Sequence, residues 1–226
     1  MLVRNWMSSN VITIDSKDSL EKANRLMREN KIRCLPVLNQ NNLVGIFTDR
    51  DLKKASASGA SGLEVHELIY LLNKIKISEV MTRNPITVQP DNTVDEVAQI
   101  LVLYKISSVP VVEAGDLIGI ITQSDIFKVY MTLTGVSFDN SVQFAVQVPN
   151  STRAVKSIIN IFNPYESRVA SILTSYTSNK KEMRHIYVRV YDFDKESLND
   201  IRKQLKEKSK LLYIVGHDHQ ISEIHP

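Results

Sequence analysis

The stretch that decides the fold is Met7 to Lys54, MSSNVITIDSKDSLEKANRLMRENKIRCLPVLNQNNLVGIFTDRDLKK. It returns 74 residues later as Met81 to Lys128, MTRNPITVQPDNTVDEVAQILVLYKISSVPVVEAGDLIGIITQSDIFK. The two align without a gap, and 14 of the 48 positions are identical, which marks an internal structural repeat. Each copy decodes alike. A short β-rich run (Val11 to Ile14; Ile86 to Val88) precedes a helix, with Asp18 and Glu21, or Asn92 and Asp95, as its starting signal. Leu20, Ala23 and Met27, or Val94, Val97 and Leu101, recur at helical spacing and predict a buried face. Two strands then form a hairpin, Cys34 to Leu38 with Leu43 to Phe47 and Ser108 to Val112 with Leu117 to Ile121, and a second helix begins beyond Thr48 or Thr122.

The segments Gly45-Ile46-Phe47-Thr48-Asp49-Arg50-Asp51 and Gly119-Ile120-Ile121-Thr122-Gln123-Ser124-Asp125 share one pattern: glycine, two apolar residues, a hydroxyl residue, two free positions, aspartate. Leu35-Pro36-Val37 and Val109-Pro110-Val111 precede them. On these residues the chain resembles the CBS domain, a β-α-β-β-α unit that occurs as a tandem pair and frequently binds adenosine-containing ligands. The resemblance covers roughly residues 1 to 133 and implies a nucleotide site in each copy. In the first these are Ile12, Thr13, Arg33, Cys34, Leu35, Pro36, Thr48, Arg50 and Asp51. In the second they are Ile86, Thr87, Ser107, Ser108, Val109, Pro110, Thr122, Ser124 and Asp125. The implied ligand is AMP, ADP or ATP, with no required cofactor.

Two readings of the threonine and aspartate stand side by side. Thr followed three residues later by Asp is a helix capping box, which needs no ligand. The same corner, where a strand end meets a helix N-terminus behind a glycine, also suits a nucleotide, with backbone N–H groups facing phosphate and Asp51 or Asp125 accepting from a ribose diol. A base then fits near Ile12 and Leu35, or near Ile86 and Val109. Arg33 and Arg50 predict that the Thr48/Asp51 site tolerates polyphosphate, while Gln123 and Ser124 suit a monophosphate or a neutral adenosyl group at Thr122/Asp125.

Between the copies, SASGASG reads as a flexible loop, and Val65, Leu68, Leu72 and Ile75 predict a packing helix, with His66 and Tyr70 as surface or packing residues. Past Gly135 the pattern changes. Val142, Phe144, Val146 and Val148 alternate with Gln143, Ala145 and Gln147, a half-buried strand. Ala154 to Phe162 follows helical spacing with Asn150, Ser151 or Thr152 as cap; Val169 to Tyr176 and Ile186 to Tyr191 read as strands; Leu198, Ile201 and Leu205 mark a helix; Leu211 to Val215 closes the set. The order βαββαβ is the ferredoxin-like split arrangement and resembles the ACT domain, which implies pairing through sheets. Its expected ligand-loop glycine is replaced by the run Val148-Pro149-Asn150-Ser151-Thr152-Arg153, so a dimerisation role is favoured over a second effector site. The whole order resembles the AcuB type of acetoin-utilisation protein, implying a regulator in acetoin or acetate metabolism.

The expected organisation is a mixed α/β (α+β) chain: CBS domains at 1–58 and 78–134, a linker loop and helix at 59–77, an ACT-like domain at 140–216 and a polar tail at 217–226. With 43% hydrophobic and 23% charged residues, the 226-residue chain has material for such cores. Seven glycines, a formal charge of +3 and the absence of GxGxxG or GxxxxGK[ST] give no phosphate-loop enzyme and no nucleic-acid footprint. No run approaches the roughly 20 apolar residues of a membrane helix. The lone Cys34 and the N-terminal MLVRNWMSSNVITID predict a cytoplasmic protein without a disulfide or signal peptide. Asp49 and Asp51 lack a His, Lys or Ser constellation, and the His217-Asp218-His219 run with His225 reads as tail, so neither a catalytic nor a metal site is expected. The expected assembly is a homodimer that signals to a downstream protein; a scaffold with empty clefts is the alternative.

Overall fold

Leu20, Ala23 and Met27 are all buried, so α1 (Leu20–Glu29) is held by the single apolar face that its spacing predicts. The computed structural model describes residues 1–59, 70, 72–165, 167–176, 182–192, 194–216 and 221–225. They divide into two compact units, Met1–Phe127 and Lys128–Pro226.

In the first unit, β1 (Ile14–Asp15) runs parallel to β2 (Cys34–Asn39), which pairs antiparallel with β3 (Asn42–Thr48) ahead of α2 (Asp49–Gly59). The second copy has α3 (Ile77–Val80), β4 (Thr82–Arg83), α4 (Val94–Tyr104), β5 (Ser108–Glu113), β6 (Asp116–Thr122) and α5 (Gln123–Thr134). Both hairpins turn on two residues with positive φ, Gln40 and Asn41 in one and Ala114 and Gly115 in the other, the twist that fits flanking strands. The strand expected at Ile86 to Val88 reduces to a single parallel bridge, Val88 to Val111, the counterpart of the Ile14 to Val37 pair. Leu35, Val37 and Phe47 fill the first core, and Val109, Val111 and Ile121 are equally buried in the second.

The helix starts lie one residue beyond those expected. Ser19 and Thr93 are the N-caps, accepting from the N–H groups of Lys22 and Glu96, and Glu96 returns the bond to Thr93 N–H at 2.9 Å. Asp18 instead accepts from Lys22 Nζ at 2.8 Å, and Asn92 from Gln89 N–H at 2.7 Å. A polar residue directly before a cap competes for local donors.

The copies exchange their leading arms. Thr82 and Arg83 pair with Ile46 and Gly45 of the first hairpin, and Ser8 bridges Ile120 of the second. Val3 N–H donates to Asn92 O and Ile77 N–H to Asp18 O, both at 2.9 Å; Val94 N–H reaches Met1 O as Leu20 N–H reaches Ile75 O. Val3 and Ile77, themselves 74 positions apart, are fully buried in the opposite copy's territory. Leu72 and Ile75 join the first copy's core, as their helical spacing predicts, while Tyr70 is exposed and His66 lies outside the described residues.

The second unit begins within α5, at Lys128, where the sequence places the boundary after residue 134. Its residues 128–141 lie against the sheet: Ser171 Oγ donates to Thr134 O, and Phe138 stacks on Tyr191. The sheet holds β7 (Val142–Pro149), β8 (Arg168–Tyr176), β9 (Met183–Tyr191), β10 (Lys210–Gly216) and β11 (Ser222–Ile224) in the order β11-β10-β7-β9-β8. Two helices, α6 (Ala154–Ile159) and α7 (Leu198–Lys208), complete the βαββαβ order of a split βαβ unit. Val142, Phe144, Val146 and Val148 pack with Ile158, Phe162, Ile201 and Leu205 as one core. Arg153, without a side-chain cap bond, replaces the expected cap at Asn150 to Thr152, and Ala154 N–H donates to Ser151 O. The polar tail expected over 217–226 contains β11, whose Glu223 pairs with Arg202 of α7. The run His217-Asp218-His219 lies outside the described residues. Among the described residues, no helix is long and apolar enough to cross a membrane, and no cluster of three or more His, Cys, Asp or Glu forms a metal site.

Candidate functional site: a cavity at the Thr48 to Asp51 corner

The end of β3 turns into α2 at Thr48, and there three hydrogen bonds close on one another. Thr48 N–H and Oγ1–H both donate to Asp51 Oδ2, at 3.0 and 2.7 Å, and Asp51 N–H donates to Thr48 Oγ1 at 3.4 Å. Thr122 and Asp125 repeat these bonds at the same three distances. Both corners are therefore capping boxes. The carboxylates differ in access: Asp51 is half-buried, whereas Asp125 is 5% exposed.

A cavity of about 400 Å³ opens at the first corner, within the 300 to 1,000 Å³ common for small-molecule sites. Thr48, Asp49, Arg50, Asp51 and Lys54 line it from the first copy, with Ile46 below. The opposite wall belongs to the second copy: Thr82, Asn84, Pro85 and Ile86 from the exchanged arm, then Lys105, Ile106, Ser107, Ser108 and Gln123. Three cations thus face two carboxylates, and Asp49 is already paired with Lys53 Nζ at 3.5 Å. Ile46, Pro85, Ile86 and Ile106 give the lining its apolar share.

Of the residues expected to bind a nucleotide, this cavity gathers Thr48, Arg50, Asp51, Ile86, Ser107 and Ser108. Arg33, Ile12 and Cys34 are not among the residues lining this cavity, which instead contains Ser107, Ile86 and Ser108, their counterparts at the 74-residue offset. Leu35 and Val109 are fully buried in the sheet cores, with Pro36 and Pro110 also buried, so none of them walls a base here. Thr13 is half-buried; Thr87 and Ser124 are exposed and outside the cavity. Gly45 and Gly119 each lie against a methionine side chain. Met81 sits over Gly45 and Met7 over Gly119, each closer than a Cβ would allow.

Cys34 and Ser108 occupy equivalent positions and meet between the copies, the Ser108 hydroxyl bonding the thiol. Burial pushes the Cys34 thiol up to about 11, an effect the Ser108 bond opposes and the charges of Asp51 and Asp49 reinforce. The thiol stays protonated near neutral pH and is no nucleophile. Sequence reasoning missed Lys54, Asn84, Lys105 and Ile106, although each is identical to its partner at the 74-residue offset: Lys128, Asn10, Lys31 and Ile32.

A family model described as the CBS domain matches residues 3–58 and 77–132, the same 74-residue offset. A CBS domain-containing protein of Dictyostelium discoideum is 34% identical over 128 residues, covering 56% of this chain and 88% of that relative. An inosine-5'-monophosphate dehydrogenase of Korarchaeum cryptofilum is 41% identical over 118 residues; the match takes in 52% of this chain and spans only 22% of the enzyme's length. The crystal structure of an acetoin utilization protein (AcuB) from Vibrio cholerae is similar at 29% identity and a TM-score of 0.51, covering 60% of this chain and 94% of that one. A repeated Gly-x-x-Thr-x-x-Asp corner, exchanged arms and these matches lead to one conclusion: the chain belongs to the CBS-domain family, as a tandem pair.

Proposed function

We propose that this chain is a non-catalytic regulatory protein whose CBS pair binds an adenosine-containing ligand, AMP, ADP or ATP, at the Thr48 to Asp51 corner. One observation carries this reading: a single cavity combines two carboxylates, four apolar side chains and three cations, the three chemistries that a ribose, a purine and a phosphate require. Asp51 Oδ2 is held by Thr48, which leaves Oδ1 to accept from a ribose hydroxyl, a bond to a charged group contributing about 1.5 to 3 kcal/mol. Apolar burial of the base against Ile86 and Ile106 supplies most of the remainder, at about 25 cal/mol per Å².

Occupancy draws the two copies together, because the cavity walls come from both, and the shift is transmitted to a partner protein. The βαββαβ unit serves as an ACT-like dimerisation module, giving a cytoplasmic homodimer. The likeness to AcuB of Vibrio cholerae supports a role in acetoin or acetate metabolism for the CBS pair. A second reading, a scaffold with unoccupied clefts, is favoured by the closed hydrogen bonding of both corners, which is complete without a ligand.

Calorimetry with AMP, ADP, ATP, S-adenosylmethionine and NAD separates the two. The sensor reading expects micromolar binding of at least one and a loss of about tenfold or more in Asp51→Ala. No heat with any of them establishes the scaffold.

A further inference from the structure

The lysine that ends α4 is held in a backbone conformation that lysine disfavours. Lys105 has φ 54° and ψ 40°, the left-handed region. Its N–H donates to Val102 O at 3.3 Å and the next N–H, of Ile106, to Leu101 O at 3.1 Å, the Schellman pattern in which glycine is the preferred residue. Lys31 ends α1 in the same way, at φ 53°, with Ile32 N–H reaching Met27 O at 3.0 Å. A side chain with a Cβ is disfavoured in this region, yet both copies carry lysine and neither carries glycine. Both copies thus keep a lysine where glycine would sit without strain.

Lys105 lines the cavity from the second copy, and Arg50, on the first turn of α2, lines it from the first. Neither cation has a carboxylate partner among the described residues. A longer phosphate chain carries more negative charge for two such cations to engage. We propose that Lys105 is the specificity-determining residue of this cavity. It selects a nucleoside di- or triphosphate over a monophosphate or an uncharged adenosyl compound by gripping the chain from the copy opposite Arg50. The inference rests on the nucleotide reading of the cavity given above and deepens it. Charged-group contacts from both copies then add to the tie that base and ribose already make: a di- or triphosphate engages Arg50 and Lys105 as well, and a nucleoside engages neither.

The test is calorimetry on the full chain with adenosine, AMP, ADP and ATP, beside thermal unfolding of the Lys105→Gly and Lys105→Arg variants. The expected result is tighter binding of ADP and ATP than of AMP, by about tenfold or more. Lys105→Gly is expected to lose about tenfold or more in ATP affinity and to hold adenosine within about threefold. Its Tm should rise by about 2 to 4 °C, because glycine relieves the left-handed strain. Lys105→Arg, which keeps the charge, should retain the preference. Gain in stability with loss of ATP is a pairing that a merely structural lysine does not produce. Equal affinities for AMP and ATP, or unchanged ATP binding in Lys105→Gly, overturn the proposal and leave the nucleoside pocket standing. No binding of any of the four overturns the nucleotide reading as well.

Discussion

Met81 of the second arm lies directly on Gly45 of the first hairpin, its Sδ 2.5 Å from the place a Cβ would occupy and the Thr82 carbonyl oxygen 3.0 Å away. Met7 and Gly119 make the matching contact, but there the three nearest atoms all belong to the methionine side chain. The obstacle at Gly45 is therefore partly backbone, and at Gly119 it is a flexible chain that can turn aside. Gly45→Ala is expected to cost about 1 to 3 kcal/mol and Gly119→Ala under about 1 kcal/mol, read from urea midpoints. Adding Met7→Ala should restore Gly119→Ala almost fully, while Met81→Ala should restore Gly45→Ala only in part. Equal costs for the two glycines contradict the arrangement.

Cys34 gives the fold an alkaline weakness. Its thiol is pushed from the usual 9.0 up to about 11 by burial. Below pH 9 the folded and unfolded chains both keep the proton, and stability is unaffected by this group. Between pH 9 and 11 the unfolded chain releases it first, so folding loses on the order of 2 to 3 kcal/mol as pH rises through that window. Denaturant midpoints measured from pH 8 to 11 should fall more steeply in the parent than in Cys34→Ala. Parallel curves would contradict the buried, protonated thiol.

Arg189 in β9 is buried and pairs with no carboxylate among the described residues. Its Nη1 donates to Ser141 Oγ at 3.0 Å, its Nε has no partner, and burial pulls its pKa below the usual guanidinium range. Such a cation is costly to bury. Arg189→Met, which keeps the length and discards the charge, is expected to leave Tm unchanged or higher. Arg189→Ala, which also empties the space, is expected to lose about 2 kcal/mol or more. A large loss in the methionine variant would show that the charge itself holds the unit.

At one edge of the second unit's sheet, β8 offers nine residues without proline, with Val169 and Ile172 about 40% exposed. A long, nearly uncharged edge is a pairing surface. If the proposed homodimer forms there, light scattering should give twice the chain mass, and Ile172→Lys should halve it. Ile224→Lys, on the three-residue strand at the opposite edge, should not. Dimers that survive Ile172→Lys place the interface elsewhere.

The fold was legible wherever information was local and repeated. Buried positions such as Leu20, Val97 and Phe144 announce themselves by spacing, and the paired hairpins by their apolar runs and polar turns. Cap positions slipped by one because Asp18 beside Ser19, and Asn92 beside Thr93, offer two polar candidates for one helix start. β11 was missed because three residues of Ser-Glu-Ile carry no period to read. The composition of the cavity was hidden for a different reason. Which strand meets which corner depends on Thr82 pairing with Ile46, a contact across 36 residues that no local pattern encodes. Lys105 was in plain view as an identity with Lys31, but it stands outside the segment containing Thr48 and Asp51, and only the crossover brings it to them.

That crossover also bears on how such a protein can arise. Severed between its halves, the chain would yield two incomplete pieces, each with a naked hairpin border and a vacant notch above its glycine. Two identical pieces could cure one another by trading N-terminal arms, at the mercy of concentration. Joining them in one polypeptide turns a dilution-sensitive encounter into a permanent neighbourhood. Within one polypeptide each half is free to differ from the other, as Ser107 does from Arg33.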